Sequence, residues 1–139
     1  MTHSDQFQIF NSAILIPWLL MLIAPNWRVT QFVISNFIFP LIYGLAYTIY
    51  ISIFLSQASE PPDFMSLAGI KKLFSVEPAV LVGWIHYLAF DLFVGSWVFM
   101  VARRKGINHL LIIPCLLLCF MLGPAGLVLF FAIKTILRK

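Results

Sequence analysis

From Ala79 to Ala102 the chain is almost unbroken apolar sequence, and near its centre stand His86 and Asp91. A helix of that length crosses the roughly 30 Å hydrocarbon core of a bilayer. At about 1.5 Å rise per residue, Asp91 falls roughly 16–18 Å from either end, close to the midplane. An ionisable group there costs at least about 2.5–3.5 kcal/mol to insert. It has to be protonated, paired, turned toward other helices or engaged in chemistry. No other residue constrains the fold as tightly, because Asp91 requires neighbouring helices that cover it.

A soluble domain carries about 25% charged residues. This chain of 139 residues carries 10%, with 62% hydrophobic, which makes it an integral membrane protein. The length suits a single membrane domain, residues 1–139. Its Lys and Arg residues lie almost wholly in loops and the tail, giving a net charge of +4. In a membrane protein such charges set topology and meet lipid headgroups, and no nucleic-acid partner is expected. The opening MTHSDQ lacks the basic region of a signal peptide, so the first apolar run is expected to be retained. Cys115 and Cys119 both lie inside the last apolar run, which argues against a disulfide framework.

Four apolar runs predict an all-α, four-helix membrane bundle, with spans at about 7–24, 30–56, 79–102 and 109–137. Pro25-Asn26-Trp27-Arg28 and Arg103-Arg104-Lys105-Gly106-Ile107-Asn108 are tight turns that make antiparallel neighbours of the runs they join. The middle connection is longer. Glu60-Pro61-Pro62 ends the second run, and Asp63 is a candidate cap for an amphipathic helix over about 64–75. Its apolar side (Phe64, Leu67, Ile70, Leu73, Phe74) suggests a helix lying on the headgroups, with packing on the end of the bundle as the alternative. Four spans put both termini on one side. Lys71, Lys72, Lys134, Arg138 and Lys139 then oppose Arg28, Arg103, Arg104 and Lys105, which leaves orientation open.

Within the third run, Trp84, Tyr87, Asp91 and Val94 share a helix face. His86 lies about 140° around the helix from Asp91, so the two point at different neighbours. In the second run Asn36, Pro40, Tyr43, Tyr47 and Tyr50 form one stripe. Antiparallel pairing puts Tyr43 near the depth of Asp91 and Tyr47 near His86, which makes Tyr43 or Tyr47 the expected hydrogen-bond partner of Asp91. Asp91 and His86 are the candidate catalytic residues, and Tyr43, Tyr47, Trp84, Tyr87, Asn36 and Asn11 the candidate ligand contacts. Against this stands a purely structural reading, in which Asp91 accepts a tyrosine hydrogen bond and Asn11 joins two helices. In the last run Pro124 should bend the helix, with Gly123 and Gly126 opening space beside it. Cys115, Cys119 and Gly123 form a small-residue stripe for close helix approach. The two thiols lack further ligands nearby, so no metal is expected. No phosphate-binding glycine loop, histidine cluster or serine nucleophile motif appears.

Ile9-Phe10-Asn11 with Pro17-Trp18 and Pro25-Asn26-Trp27, the string from Gly83 to Gly95, His109-Leu110 with Pro114-Cys115, and Gly123-Pro124-Ala125-Gly126-Leu127 together resemble the ABA DEFICIENT 4-like family. The resemblance covers nearly the whole chain, and the His-Tyr-Leu-Ala-Phe-Asp-Leu-Phe-Val-Gly string is its most specific part. It implies a multi-pass membrane protein like the plastid members needed to form neoxanthin from violaxanthin. It also implies a carotenoid or similar isoprenoid ligand. This chain has a bacterial look, and the bacterial inner (cytoplasmic) membrane is its expected location. If the protein is an enzyme, cofactor-independent isomerase-type chemistry suits the residues. Asp91 would protonate an epoxide or polyene, and His86 or a tyrosine would remove a proton elsewhere. The alternatives are a non-catalytic binding or assembly partner of a pigment enzyme, or a small proton-linked transporter acting as a homo-oligomer.

Overall fold

Prolines, more than the lengths of the apolar runs, decide where the helices end. A proline inside a helix cannot donate to the carbonyl four residues back, and its ring crowds that carbonyl. Pro17 faces Ala13 in this way, Pro40 faces Asn36 and Pro124 faces Phe120. The computed structural model describes residues 1–138 and breaks its helices within a turn before each of these prolines. The helices are α1 (His3–Ala13), α2 (Leu15–Ile23), α3 (Arg28–Ser35), α4 (Ile38–Gln57), α5 (Leu67–Leu73), α6 (Glu77–Arg104), α7 (His109–Leu122) and α8 (Pro124–Ile136). Pro114 is tolerated near the start of α7. In α6 the one proline is Pro78, in the first turn, where its missing N–H removes no helical bond.

Three stretches are long and apolar enough to cross a membrane: His3–Ile23, formed by α1 and α2, then α4, and α6. The long α6 is the central post, buried on most sides. α4 turns Leu41, Ile42, Leu45, Ile49 and Ile53 outward as exposed apolar surface. α1 and α2 run parallel to α6, from the His3–Glu77 pair at one end to Arg103 at the other. There the Arg103 guanidinium donates to the Pro25 carbonyl and to Asn26 Oδ1. α4 runs antiparallel to α6, with Phe37 stacked on Phe93 and Tyr47 against His86.

The second apolar run is not one straight helix. Phe37 adopts a left-handed backbone, φ 51°, which costs a non-glycine residue on the order of 1–3 kcal/mol. Asn36 closes α3 by donating to the Phe32 carbonyl at 2.8 Å. The stripe expected from Asn36 to Tyr50 therefore begins only after this break, and Asn36 itself is exposed.

The largest departure from the sequence reading is in the last run, which does not form a fourth straight span. α7 descends antiparallel to α6, from the Phe99–His109 contact to the Tyr87–Met121 hydrogen bond. At Gly123, φ 33°, the chain reverses and α8 climbs back along α7. Gly126 lies so close to the Cys115 carbonyl and to Cys119 that a Cβ there would collide with both. Further along, Phe130 and Phe131 meet Trp97, on the Arg103 side of Asp91. A kinked but continuous helix would have carried Phe130 away from Trp97. α7 and α8, of 14 and 13 residues, rise only about 20 Å each, too short to span. They form a hairpin whose tip stops beside Asp91.

This reversal moves residue 138 to the end of the molecule opposite His3, contrary to the expectation that both termini share a side. It also regroups the charges. Arg28, Arg103, Arg104, Lys105, Lys134 and Arg138 stand at one end. Lys71 and Lys72 stand at the other, together with Asp5, Glu60, Asp63 and Glu77.

Candidate functional site

Asp91 is 8% exposed, turned into the bundle and packed against the hairpin tip. A Cβ built on Gly123 would fall on its carboxylate, so glycine there serves both the positive φ and the close approach. The first turn of α8 lies at the same place. Asp91 Oδ2 is buried without a hydrogen-bond partner among the described residues. The expected tyrosine partners are engaged elsewhere. Tyr43, 2% exposed, donates to the Phe10 carbonyl at 2.6 Å, pinning α4 to the α1–α2 junction. Tyr47 lies against His86, on another flank of α6.

The rest of the Asp91 face is also committed to joining helices. Trp84 Nε1 donates to Asn11 Oδ1 at 3.2 Å and its ring stacks on Tyr87. The Tyr87 hydroxyl donates to the Met121 carbonyl at 2.9 Å, near the end of α7, where a helix has carbonyls to spare. Asn11, Trp84 and Tyr87, expected to touch a ligand, thus have their polar groups turned to other helices. Asn36 is likewise occupied as the cap of α3.

His86 has different surroundings. It is exposed, edge-on to Tyr47 at 5.1 Å and tilted over Phe90 at 4.7 Å. Together with Tyr47 it faces a cavity of about 340 Å³ between α4, α6 and α5. The remaining walls are apolar: Phe64, Ile70, Leu73 and Phe74 from the α5 segment, Val82 and Gly83 from α6, and Ile51 and Phe54 from α4. Phe74 closes onto α6 because residue 83 is glycine; a Cβ there would lie 2.6 Å from the Phe74 ring. Ile70 and Leu73 of α5 are thereby turned toward the bundle, while Leu67 stays exposed. His86 is five residues from Asp91, hence about 7–8 Å along α6 from it.

The roof is tied down by polar contacts outside the apolar layer. Ser66, not Asp63, caps α5 through the Gly69 amide at 3.0 Å. Asp63 instead accepts from the Met65 amide at 2.8 Å and from the Ser66 hydroxyl. Those hydrogen bonds, the Ser66 one first, hold its carboxyl below its ordinary range. Lys72 donates to Glu60 at 2.9 Å, and this bond, aided by the lysine charge, lowers the Glu60 carboxyl likewise.

Of the residues singled out from sequence, Tyr47 and His86 come together at an open cavity, and Asp91 lies apart from them. Gly83 was not singled out as a wall residue. Its signal was a small residue one turn before an exposed histidine, facing an aromatic-rich connection.

A family model for ABA DEFICIENT 4-like proteins matches residues 6–130. Over 98% of its length the chain is 30% identical to Protein ABA DEFICIENT 4, chloroplastic, of Arabidopsis thaliana, and it spans 63% of that relative's length. No solved structure matches.

Proposed function

The chain belongs to the ABA DEFICIENT 4-like family, and on that premise we propose that it is an integral membrane protein acting on, or supporting the conversion of, a carotenoid or related isoprenoid. The observation that carries this reading is the cavity under α5. Its walls are apolar and aromatic, with one imidazole and one phenol as the groups that can address an oxygen. At about 340 Å³ it is at the small end of ligand pockets, which run about 300–1,000 Å³. It suits the ring at one end of a long isoprenoid, with the polyene continuing along α4 and α6 into the lipid. An oxygenated ring is a polar group on an apolar body, and its depth in a bilayer matches that of His86 and Tyr47.

Asp91 and His86 face different flanks of α6, so one ring does not reach both. His86, with Tyr47, is therefore the group that meets the ligand, and Asp91 holds the hairpin tip. In an isomerisation one of His86 and Tyr47 would deliver a proton to the ring oxygen as its C–O bond opens, and the other would accept a proton from a neighbouring carbon as the new double bond forms, so that protons and electrons balance with no redox change. The pigment profile of the host with and without this gene tests the reading. A missing or accumulated oxygenated carotenoid is expected, and identical profiles would overturn it. Purified protein given the accumulated pigment then separates conversion by this chain alone from assistance to a partner enzyme.

A further inference from the structure

We propose that the cleft between α3 and the end of α6 binds the phosphate headgroup of an anionic membrane lipid. The proposal is independent of the ring cavity. The cleft, about 520 Å³, is lined by Gln31, Ser35, Phe99, Met100, Arg103 and Arg104. Arg103 is aimed by its bonds to Pro25 and Asn26 and lies over the Phe99 ring, 5.7 Å from its centroid. Arg104 beside it, and Arg28 at the start of α3, have no carboxylate within 4.0 Å among the described residues. The four carboxylates outside the apolar layer all stand at the other end of the molecule. Arg103 and Arg104 are 12–13 residues beyond Asp91, hence about 18–20 Å from mid-depth. That is past the roughly 15 Å half-thickness of the hydrocarbon core and level with lipid phosphates.

Guanidinium forks suit phosphate oxygens, while the half-buried Met100 below them, over the buried Phe99 ring, suits the start of an acyl chain. A lipid satisfies both halves of the cleft, whereas a free phosphate satisfies only the upper half. Basic pockets between helices at the cytoplasmic face bind acidic lipids in this manner. The hairpin also bears on orientation. It puts six Lys and Arg at this end against Lys71 and Lys72 at the other, and a rule that counts these residues turns the six toward the cytoplasmic side.

The test uses the full chain in lipid nanodiscs of phosphatidylcholine, alone or with phosphatidylglycerol. Phosphatidylglycerol should raise Tm by several degrees and survive as a bound lipid in native mass spectrometry. Arg104→Gln should lose most of both effects, Arg104→Lys should keep most, and Lys71→Gln at the opposite end should lose nothing. Equal stabilisation of Arg104→Gln and the wild type, or no stabilisation of either, would overturn the proposal. So would an equal Tm shift from soluble glycerol phosphate added to phosphatidylcholine discs, since that would mark a site for free anions.

Discussion

Asp91 and His86 stand five residues apart on one helix, yet their surroundings differ in almost every respect. Asp91 is closed in by the hairpin tip, with Gly123 against its carboxylate and only 8% of the residue exposed. His86 faces a cavity with apolar walls and a tyrosine across it. The rarer and costlier residue is the one enclosed in structure, and the less conspicuous one borders open space. A charge in the middle of a membrane therefore identifies where helices must meet. It does not by itself identify where a ligand binds; that requires unfilled volume beside a group able to address it.

The comparison breaks most visibly at Gly123. A valine there needs a positive φ that β-branched residues avoid and puts its Cβ into the Asp91 carboxylate. Gly123→Val should cost on the order of 3 kcal/mol or more, read as a large fall in Tm or as loss of folded protein. Gly123→Ala should be milder and should recover part of its loss when combined with Asp91→Gly. Strictly additive losses in that pair would mean that Asp91 and Gly123 do not touch. A smaller effect is expected at Tyr43, whose hydroxyl has only the Phe10 carbonyl as partner among the described residues. Tyr43→Phe should lower stability by about 1 kcal/mol and leave ligand conversion unchanged, because that hydroxyl belongs to the packed region.

The smallest effect concerns the roof of the cavity. Glu60 and Asp63 both have carboxyls lowered by their partners. Lowered acids contribute stability above their unfolded values, about 4.3 for Glu and 3.9 for Asp, and lose it as pH falls through the folded values. Both are solvent-exposed, so the contribution is small. A spin label at Ala68→Cys should gain mobility below about pH 4, while one at Val128→Cys on α8 should not. Equal loosening at both positions would show that α5 is not separately anchored.

Much of the fold was legible from the residues. The apolar runs, the turns at Pro25 and Arg103 and the opposed directions of Asp91 and His86 follow from hydropathy and helical geometry. The antiparallel sense of α4 against α6 follows only once the two are assumed to pack together. The hairpin was only half legible. Pro124 announces a break, but a bend and a full reversal begin with the same missing hydrogen bond. What selects reversal is the positive φ at Gly123 together with Gly126, which lets α8 lie against Cys115 and Cys119 only seven to eleven residues back, a packing contact that helical periodicity does not reveal. Pro40 carried the same signal for the Asn36–Phe37 break, hidden because Asn36 and Tyr43 fit one stripe when the helix is drawn straight. At the candidate site, helical spacing showed that Tyr47 and His86 could meet. It could not show that Trp84, Tyr87 and Asn11 satisfy one another or the end of α7, since each of those bonds joins residues more than thirty positions apart. Family resemblance pointed to a ligand class, and the open volume beside His86 is what the proposed reading adds to it.

The most direct measurement compares His86→Gln with Asp91→Asn in the same host, scoring the gene-dependent pigment change against the amount of folded protein in the membrane. Glutamine keeps hydrogen-bonding groups but removes the imidazole, and asparagine replaces the carboxyl by an amide of nearly the same size. The account predicts that His86→Gln lowers the pigment change at least tenfold per folded molecule, and that Asp91→Asn leaves it within about twofold. The reverse pattern, with activity intact in His86→Gln and lost in folded Asp91→Asn, would contradict it and return the chemistry to the hairpin tip.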